Sequence, residues 1–354
     1  MLRHPVYTAH HNLIIILFSD EDFSQYCQNF DQVFWEVNNG RAVDFLPWLM
    51  PIFQYSPAIR NMKRASGEVR RYVEEKIIAP KKKLAKEIAE KSNTTSDFLD
   101  TIMIYLEGSS GQHDDALNSQ SALYALEDIL GGHAAVANIT LRILYDLALE
   151  DHGSVKVQVQ NQINQVVSEA GLCNAANEEG QALVSFEDRP SLPWVVASMH
   201  ETIRKTCSPI VPHQATQDST IEGHFVPKDA VIFVNNHSLN MSEELWDQPE
   251  KYQPSRFLDP TAGTFTKPAH FTPFSMGKRS CMGYKMVHNV AFAIVANLML
   301  HFDLRQPAYA PADVPLGMLA LPPQPFEFVI SSPDSSSTEA KSSFIRSPTR
   351  RAAA

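Results

Sequence analysis

Apolar residues recur with helical spacing through much of the first half of the chain. Met62, Val69, Val73 and Ile77 fall on one face with Arg and Lys between them, the pattern of a half-buried helix. "TTSDFLDTIMIYL" (residues 94–106) places capping residues ahead of an apolar run and predicts a helix start. "SQSALYALEDILGGHAAVANITLRILYDLALED" (Ser119 to Asp151) predicts one very long helix. It is apolar around most of its circumference, which suits a helix crossing the middle of a large domain. Gly131 and Gly132 sit at its centre, each costing about 1 kcal/mol relative to Ala. They point to tight helix packing, to close approach by another group, or to a local distortion.

Proline sets the second half apart. None occurs from Lys81 to Arg189, whereas 18 of the 23 lie from Pro190 onward. Because proline interrupts helices, the early part is free to be helical and the late part is rich in turns. After Arg189 the pattern predicts a helix ("LPWVVASMHETIRK"), short strands such as "AVIFVNN" (Ala230 to Asn236) and a proline-punctuated irregular stretch from Asp247 to Pro273. A second apolar helix, "KMVHNVAFAIVANLMLHF", follows Cys281. Residues 331–354 are Ser-rich without a core pattern and read as a disordered tail.

Composition narrows the function classes. Of the 354 residues, 44% are apolar and 20% charged, enough for a buried core. The formal net charge of −10 argues against a general nucleic-acid binder, which needs clustered cations. Cysteines at 27, 173, 207 and 281 form neither a CxxC knuckle nor a disulfide framework, so a reducing compartment is the default. The N-terminal apolar run "NLIIILF" is too short to span a bilayer and lacks a signal-peptide pattern, so the chain as given is expected to carry no anchor of its own.

Against that background "FTPFSMGKRSCMGYKM" (271–286) is the most informative stretch. A cysteine just ahead of an apolar helix sits where backbone N–H groups and the helix dipole stabilise a thiolate. Gly277 and Gly283 permit tight turning and leave room for a flat group, and the Arg279 fork suits carboxylates. A flat ligand with carboxylates and a thiolate-seeking metal is haem. A buried structural cysteine is the alternative that these residues leave open.

Phe274, Gly277, Arg279, Cys281 and Gly283 together resemble the F-x-x-G-x-R-x-C-x-G signature of the cytochrome P450 superfamily. "ETIR" (Glu201 to Arg204) looks like its E-x-x-R helix, and "QPEKYQPSRF" like its meander, with Arg256 expected to join Glu201 and Arg204 in a buried ionic triad. "VPHQAT" is similar to the segment whose His213 would reach a haem propionate. "MHETIR" is no zinc HExxH helix, since position 204 is Arg. The resemblance implies a mainly α fold with small β-sheets. It also implies haem b with Cys281 as axial ligand, Phe274, Gly277, Arg279 and Gly283 around it, and a haem-thiolate monooxygenase fed by NADPH through a partner reductase. Lys278 and Lys285 would face that reductase or simply be solvated.

The long helix departs from the family. Where a small-Gly-x-acid-Thr pattern is usual, this chain has Gly131, Gly132, His133, Ala134 and Ala135, so acid and alcohol are both missing. Proton delivery would fall to water, a substrate hydroxyl, Asn138 or His133. A haem-thiolate isomerase or dehydratase needing no dioxygen, and a haem-binding remnant without turnover, stay open as alternatives. "GGHAAVAN", with "FWEVNNGRAVDFLPWLMP" and the cysteine loop, resembles the arthropod spook/spookier group of ecdysteroid-synthesis enzymes. That likeness implies a sterol-like apolar substrate near Leu130, Ala134, Ala135, Ile210 and Val211, and an endoplasmic reticulum membrane location for the full-length form.

The resemblance spans about residues 10–330, one partial domain equal to roughly the last two-thirds of a full member. The family's W-x-x-x-R helix has no counterpart, since Trp35 is followed four positions on by Asn39. The chain as given is therefore expected to bind haem poorly and to expose apolar surface.

Overall fold

The computed structural model describes residues 21–38, 46–80, 99, 119–169, 175–176, 182–206, 212–306, 327–331 and 343–346. Its helices are α1 (Glu21–Asn38), α2 (Pro57–Tyr72), α3 (Ser119–Ala148), α4 (Gly153–Ser168), α5 (Pro193–Thr206) and α6 (Tyr284–His301), with shorter helical turns between them. The chain divides into two units, Met1–Ala134 and Ala135–Ala354, and the boundary falls inside α3.

In the first unit the Met62–Ile77 periodicity forms α2, continued by a π-helical turn over Val73–Ile78. Ser56 caps α2 by accepting the Ile59 N–H, and Pro57 occupies the first turn, where a missing N–H costs nothing. Tyr26, Val69, Val73, Leu123 and Leu126 form the buried centre. Arg70 reaches Glu127 with Nε at 3.0 Å from a carboxylate oxygen. The expected helix start at 94–106 lies outside the described residues apart from Leu99.

The two glycines of α3 differ. A Cβ on Gly131 would overlap the tip of the Phe30 ring, whereas one on Gly132 would meet nothing within 4 Å. Phe30 cannot swing away freely, being packed against Tyr26, Phe34 and His133. Gly131→Ala is therefore expected to destabilise this unit by about 1–3 kcal/mol. Gly132→Ala should stabilise it by about 1 kcal/mol through helix propensity. Urea midpoints of the two variants followed by far-ultraviolet circular dichroism check this; two shifts of the same sign would refute it.

In the second unit α4, α5 and α6 pack around Ile143, Leu147, Ile163, Val195, Phe257, Phe271 and Phe292. The long helix ends at Ala148, and Glu150–His152 continue as a 3₁₀ turn rather than as α-helix. Strand β3 (His213–Gln214) pairs antiparallel with β6 (Val231–Ile232). Only Val231 and Ile232 of the expected "AVIFVNN" strand are paired, because Asn235 turns to cap a helical turn at Asn236–Asn240. Between them β4 (Ser219–Ile221) and β5 (His224–Val226) form a hairpin. Its two turn residues, Glu222 (φ 49°) and Gly223 (φ 80°), are both left-handed, matching the twist of the strands. β1 (Ala175–Ala176) pairs with β2 (Ala182–Leu183).

A three-stranded antiparallel sheet runs β7 (Asp303–Arg305), β8 (Glu327–Ser331), β9 (Ser343–Arg346). β9 lies in the stretch expected to be a disordered tail. Its backbone pairs antiparallel with β8, with Ser343 in register with Ile330 and Arg346 with Glu327, a pairing that composition alone conceals. No helix among the described residues is long and apolar enough to cross a membrane. Large apolar side chains do stand in solvent, among them Trp48, Ile52, Tyr55, Phe225 and Val231.

Candidate haem-thiolate site

Cys281 lies on the loop that leads into α6, three residues ahead of the helix. The loop closes on itself: the Cys281 N–H donates to the Phe274 carbonyl at 2.9 Å, and the Ser280 N–H to that of Gly277 at 3.2 Å. Ser275 (φ 63°) and Gly277 (φ 69°) are left-handed, so the tight path needs glycine at 277 and strains serine at 275. At Gly283, the N-cap of α6, no side chain caps the helix. Its first N–H groups thus remain available to stabilise negative charge nearby.

The loop presents its chemistry outward. Cys281 is a free thiol and is exposed, as are Lys278, Arg279 and Lys285. Met276, Met282 and Met286 are exposed beside it, a strip of soft apolar surface next to a thiol. Arg279 makes no hydrogen bond or ion pair with another described residue. Among the described residues no group of three or more His, Cys, Asp and Glu could hold a metal ion. A metal at Cys281 would therefore have to bring most of its ligands with it. An exposed thiol, an unengaged guanidinium and an apolar rim fit a flat, carboxylate-bearing metal macrocycle.

Behind the loop, Phe274 packs edge-on against His288 (centroids 5.2 Å, 70°). Burial holds His200 and His288 neutral, lowering their pKa values to about 3 and about 4; each ring's neighbours, Arg189 and Lys267, add to the effect.

Glu201, Arg204 and Arg256 come together. Glu201 and Arg204 have no exposed side-chain surface, and Arg204 forks onto both carboxylate oxygens at 2.8 Å. Arg256 Nε reaches the same carboxylate at 3.2 Å, and the Gln253 N–H donates to it at 2.9 Å. Arg204 also donates to the carbonyls of Asn240 and Pro249, each at 2.6 Å, and to Met241 Sδ at 3.8 Å. The Trp246 ring lies under both guanidinium groups, at 5.3 and 5.8 Å.

Sequence reasoning missed a second buried network beside this one. Arg142 pairs with Asp146 at 3.1 Å, Thr202 donates to Asp146 at 2.8 Å, and the Tyr252 hydroxyl donates to the Ser198 carbonyl at 3.2 Å. Tyr252 also stacks on His152, 4.2 Å between centroids. The network's sequence signal was Arg142 and Asp146 at i,i+4 spacing in the apolar second half of α3.

The other expected residues are distributed as follows. His213 stands on β3 opposite Ile232, with no hydrogen bond to Arg279 among the described residues. Leu130, Gly131, Gly132, His133 and Ala134 belong to the first unit, Ala135 and Asn138 to the second. His133 is ringed by Phe23, Tyr26 and Phe30, with Nδ1 2.8 Å from the Leu130 carbonyl. Asn138 is buried. Ile210 and Val211 lie outside the described residues.

The family model described as cytochrome P450 matches residues 15–330. The chain is similar to cytochrome P450 307a1 of Drosophila melanogaster, 30% identical over 335 residues, which is 89% of this chain and 58% of that protein. It is 30% identical over 284 residues to steroid 17-alpha-hydroxylase/17,20 lyase of Cavia porcellus, covering 77% and 51% respectively. Cytochrome P450 2C3 of Oryctolagus cuniculus is 26% identical over 291 residues, 78% of this chain and 55% of that protein. The chain thus spans little more than half the length of these relatives.

Proposed function

The chain belongs to the cytochrome P450 family, and on that footing we propose that it serves a haem-thiolate monooxygenase acting on an apolar, sterol-like substrate. The observation that carries the reading is the exposed Cys281 thiol on a loop closed by its own N–H···O=C bond to Phe274. The overall reaction places one oxygen atom of O2 in a substrate C–H bond and releases the other as water, with two electrons from NADPH and two protons. Haem b, when bound, supplies the activation of dioxygen.

Everything else is asked of the chain. Cys281 would hold the iron as a thiolate, favoured by the uncapped start of α6. Arg279 and His213 are assigned to the propionates, each charged hydrogen bond contributing about 1.5–3 kcal/mol. Phe274 packs behind the loop against His288, and the left-handed Gly277 turn gives the loop its tight path. The Glu201–Arg204–Arg256 cluster fixes the meander beneath. Lys278 and Lys285 supply positive charge for an acidic reductase surface.

Proton supply is the unusual part, since Ala134 and Ala135 can neither donate nor relay. Asn138, a buried amide one turn beyond Ala134, is the better candidate, because His133 is committed to the Leu130 carbonyl and three aromatic rings. The same two alanines favour a second reading, a haem-thiolate isomerase or dehydratase that needs neither proton relay nor dioxygen. NADPH and O2 consumption with substrate distinguishes the two. The relative named for steroid hydroxylation and the spook-like wording of α3 support a sterol, and ecdysteroid synthesis in the endoplasmic reticulum membrane is the setting they suggest.

A reduced carbon-monoxide difference spectrum, recorded after expression with haem supply, tests the ligand. Because the chain as given is expected to hold haem poorly, the expected result is a weak thiolate-type Soret band in the parent chain and none in Cys281→Ala. A band that survives in Cys281→Ala removes Cys281 from its role; no band in either marks these 354 residues as unable to hold haem.

A further inference from the structure

We propose that His288, backed by His200, is a positioning residue for Cys281: the stacked imidazole pair braces the Phe274 ring and so holds the loop that presents the thiol. The inference rests on the reading of Cys281 as a ligand, but its geometry stands by itself. His200 on α5 and His288 on α6 lie nearly parallel, with centroids 4.7 Å apart and an angle of 11°. His200 is fixed from behind, since its Nδ1 lies 2.8 Å from the Val196 carbonyl and its ring 4.5 Å from that of Phe265. A carbonyl only accepts, which sets the proton on Nδ1.

On its other side His288 meets Phe274 edge-on, and the Phe274 carbonyl in turn accepts the Cys281 N–H. The series α5 ring, α6 ring, loop ring, loop carbonyl, cysteine amide is continuous within the second unit. His288 Nδ1 is buried with no hydrogen-bond partner among the described residues. A ring that leaves a polar atom unsatisfied is held by its faces, not by its nitrogens. Arg189 and Lys267, the cations near both rings, oppose protonation and keep the stack uncharged. A flat aromatic spacer, and not a base, is what this position uses.

The test is hydrogen exchange followed by mass spectrometry on the whole chain without added haem. It compares peptides covering 274–283 with those covering the β4–β5 hairpin. In His288→Ala the loop peptide, which contains the Cys281 amide, is expected to exchange about tenfold faster with the hairpin unchanged. His288→Phe, which keeps a flat ring, is expected to restore parent exchange. Unchanged loop exchange in His288→Ala, or equal acceleration of loop and hairpin, overturns the proposal. Where the alanine variant does not fold, His288→Leu replaces it: apolar but not flat, it must exchange faster than His288→Phe or the proposal fails. Failure of the ligand reading would show in the carbon-monoxide spectrum and leave these exchange rates untouched.

Discussion

Glu201→Ala is expected to cost the second unit about 3–5 kcal/mol, because it strands the Arg204 charge in a site with no solvent. Three features set that magnitude. The side chains of Glu201 and Arg204 are wholly buried, the pair is bidentate, and Arg256 shares the carboxylate. The carbonyls of Asn240 and Pro249 soften the loss but carry no full negative charge. Arg71→Ala, which breaks a solvent-exposed pair with Glu68, is the control and should cost no more than about 1 kcal/mol. Equilibrium urea unfolding measures both. A Glu201→Ala penalty as small as that of Arg71→Ala would mean the cluster contributes nothing beyond a surface ion pair.

Acid should weaken the same unit through His200 and His288. Their folded pKa values, about 3 and about 4, lie below the unfolded value of about 6.5. The unfolded chain therefore takes up protons first as pH falls. The contribution is complete above about pH 6.5 and then declines by up to about 1.4 kcal/mol per pH unit for each ring. The decline ends only when pH passes the folded values. By about pH 5 the two rings together should have lost about 4 kcal/mol. Urea midpoints between pH 7 and pH 5 provide the check, in the parent chain and in the double variant His200→Phe, His288→Phe. If both proteins lose stability equally, carboxylates and not this pair govern the acid limb.

Long helices were legible because their patterns are local. The extents of α3, α5 and α6 follow from apolar periodicity, from proline placement and from the glycine ahead of Tyr284. The loop around Cys281 was legible as a motif, since its glycines and cations stand within ten positions. What stayed hidden depends on partners far away along the chain. Nothing local told Gly131 from Gly132, because the difference is the Phe30 ring arriving from α1. Asp146 meets Thr202 and His288 meets His200 only once three helices have packed, and a polar residue on an apolar helix carries no address. "SFIR" in β9 was masked by its serine-rich surroundings, whose composition outweighs a four-residue β pattern.

Trp246 gives the ionic cluster an optical use. Its indole Nε1–H is fixed to the Leu239 carbonyl at 3.1 Å, and its π-face lies within 6 Å of two guanidinium carbons, away from water. The emission energy of an indole depends on the charges along its long axis and on solvent contact. This side chain is thus a built-in fluorophore reporting on the cluster, with Trp48, exposed in the first unit, as a wet reference in the same spectrum. Red-edge excitation, which spares the tyrosines, with the spectrum of Trp246→Phe subtracted to remove the other three tryptophans, can follow dissolution of the charged core in real time, before any haem, reductase or substrate is supplied.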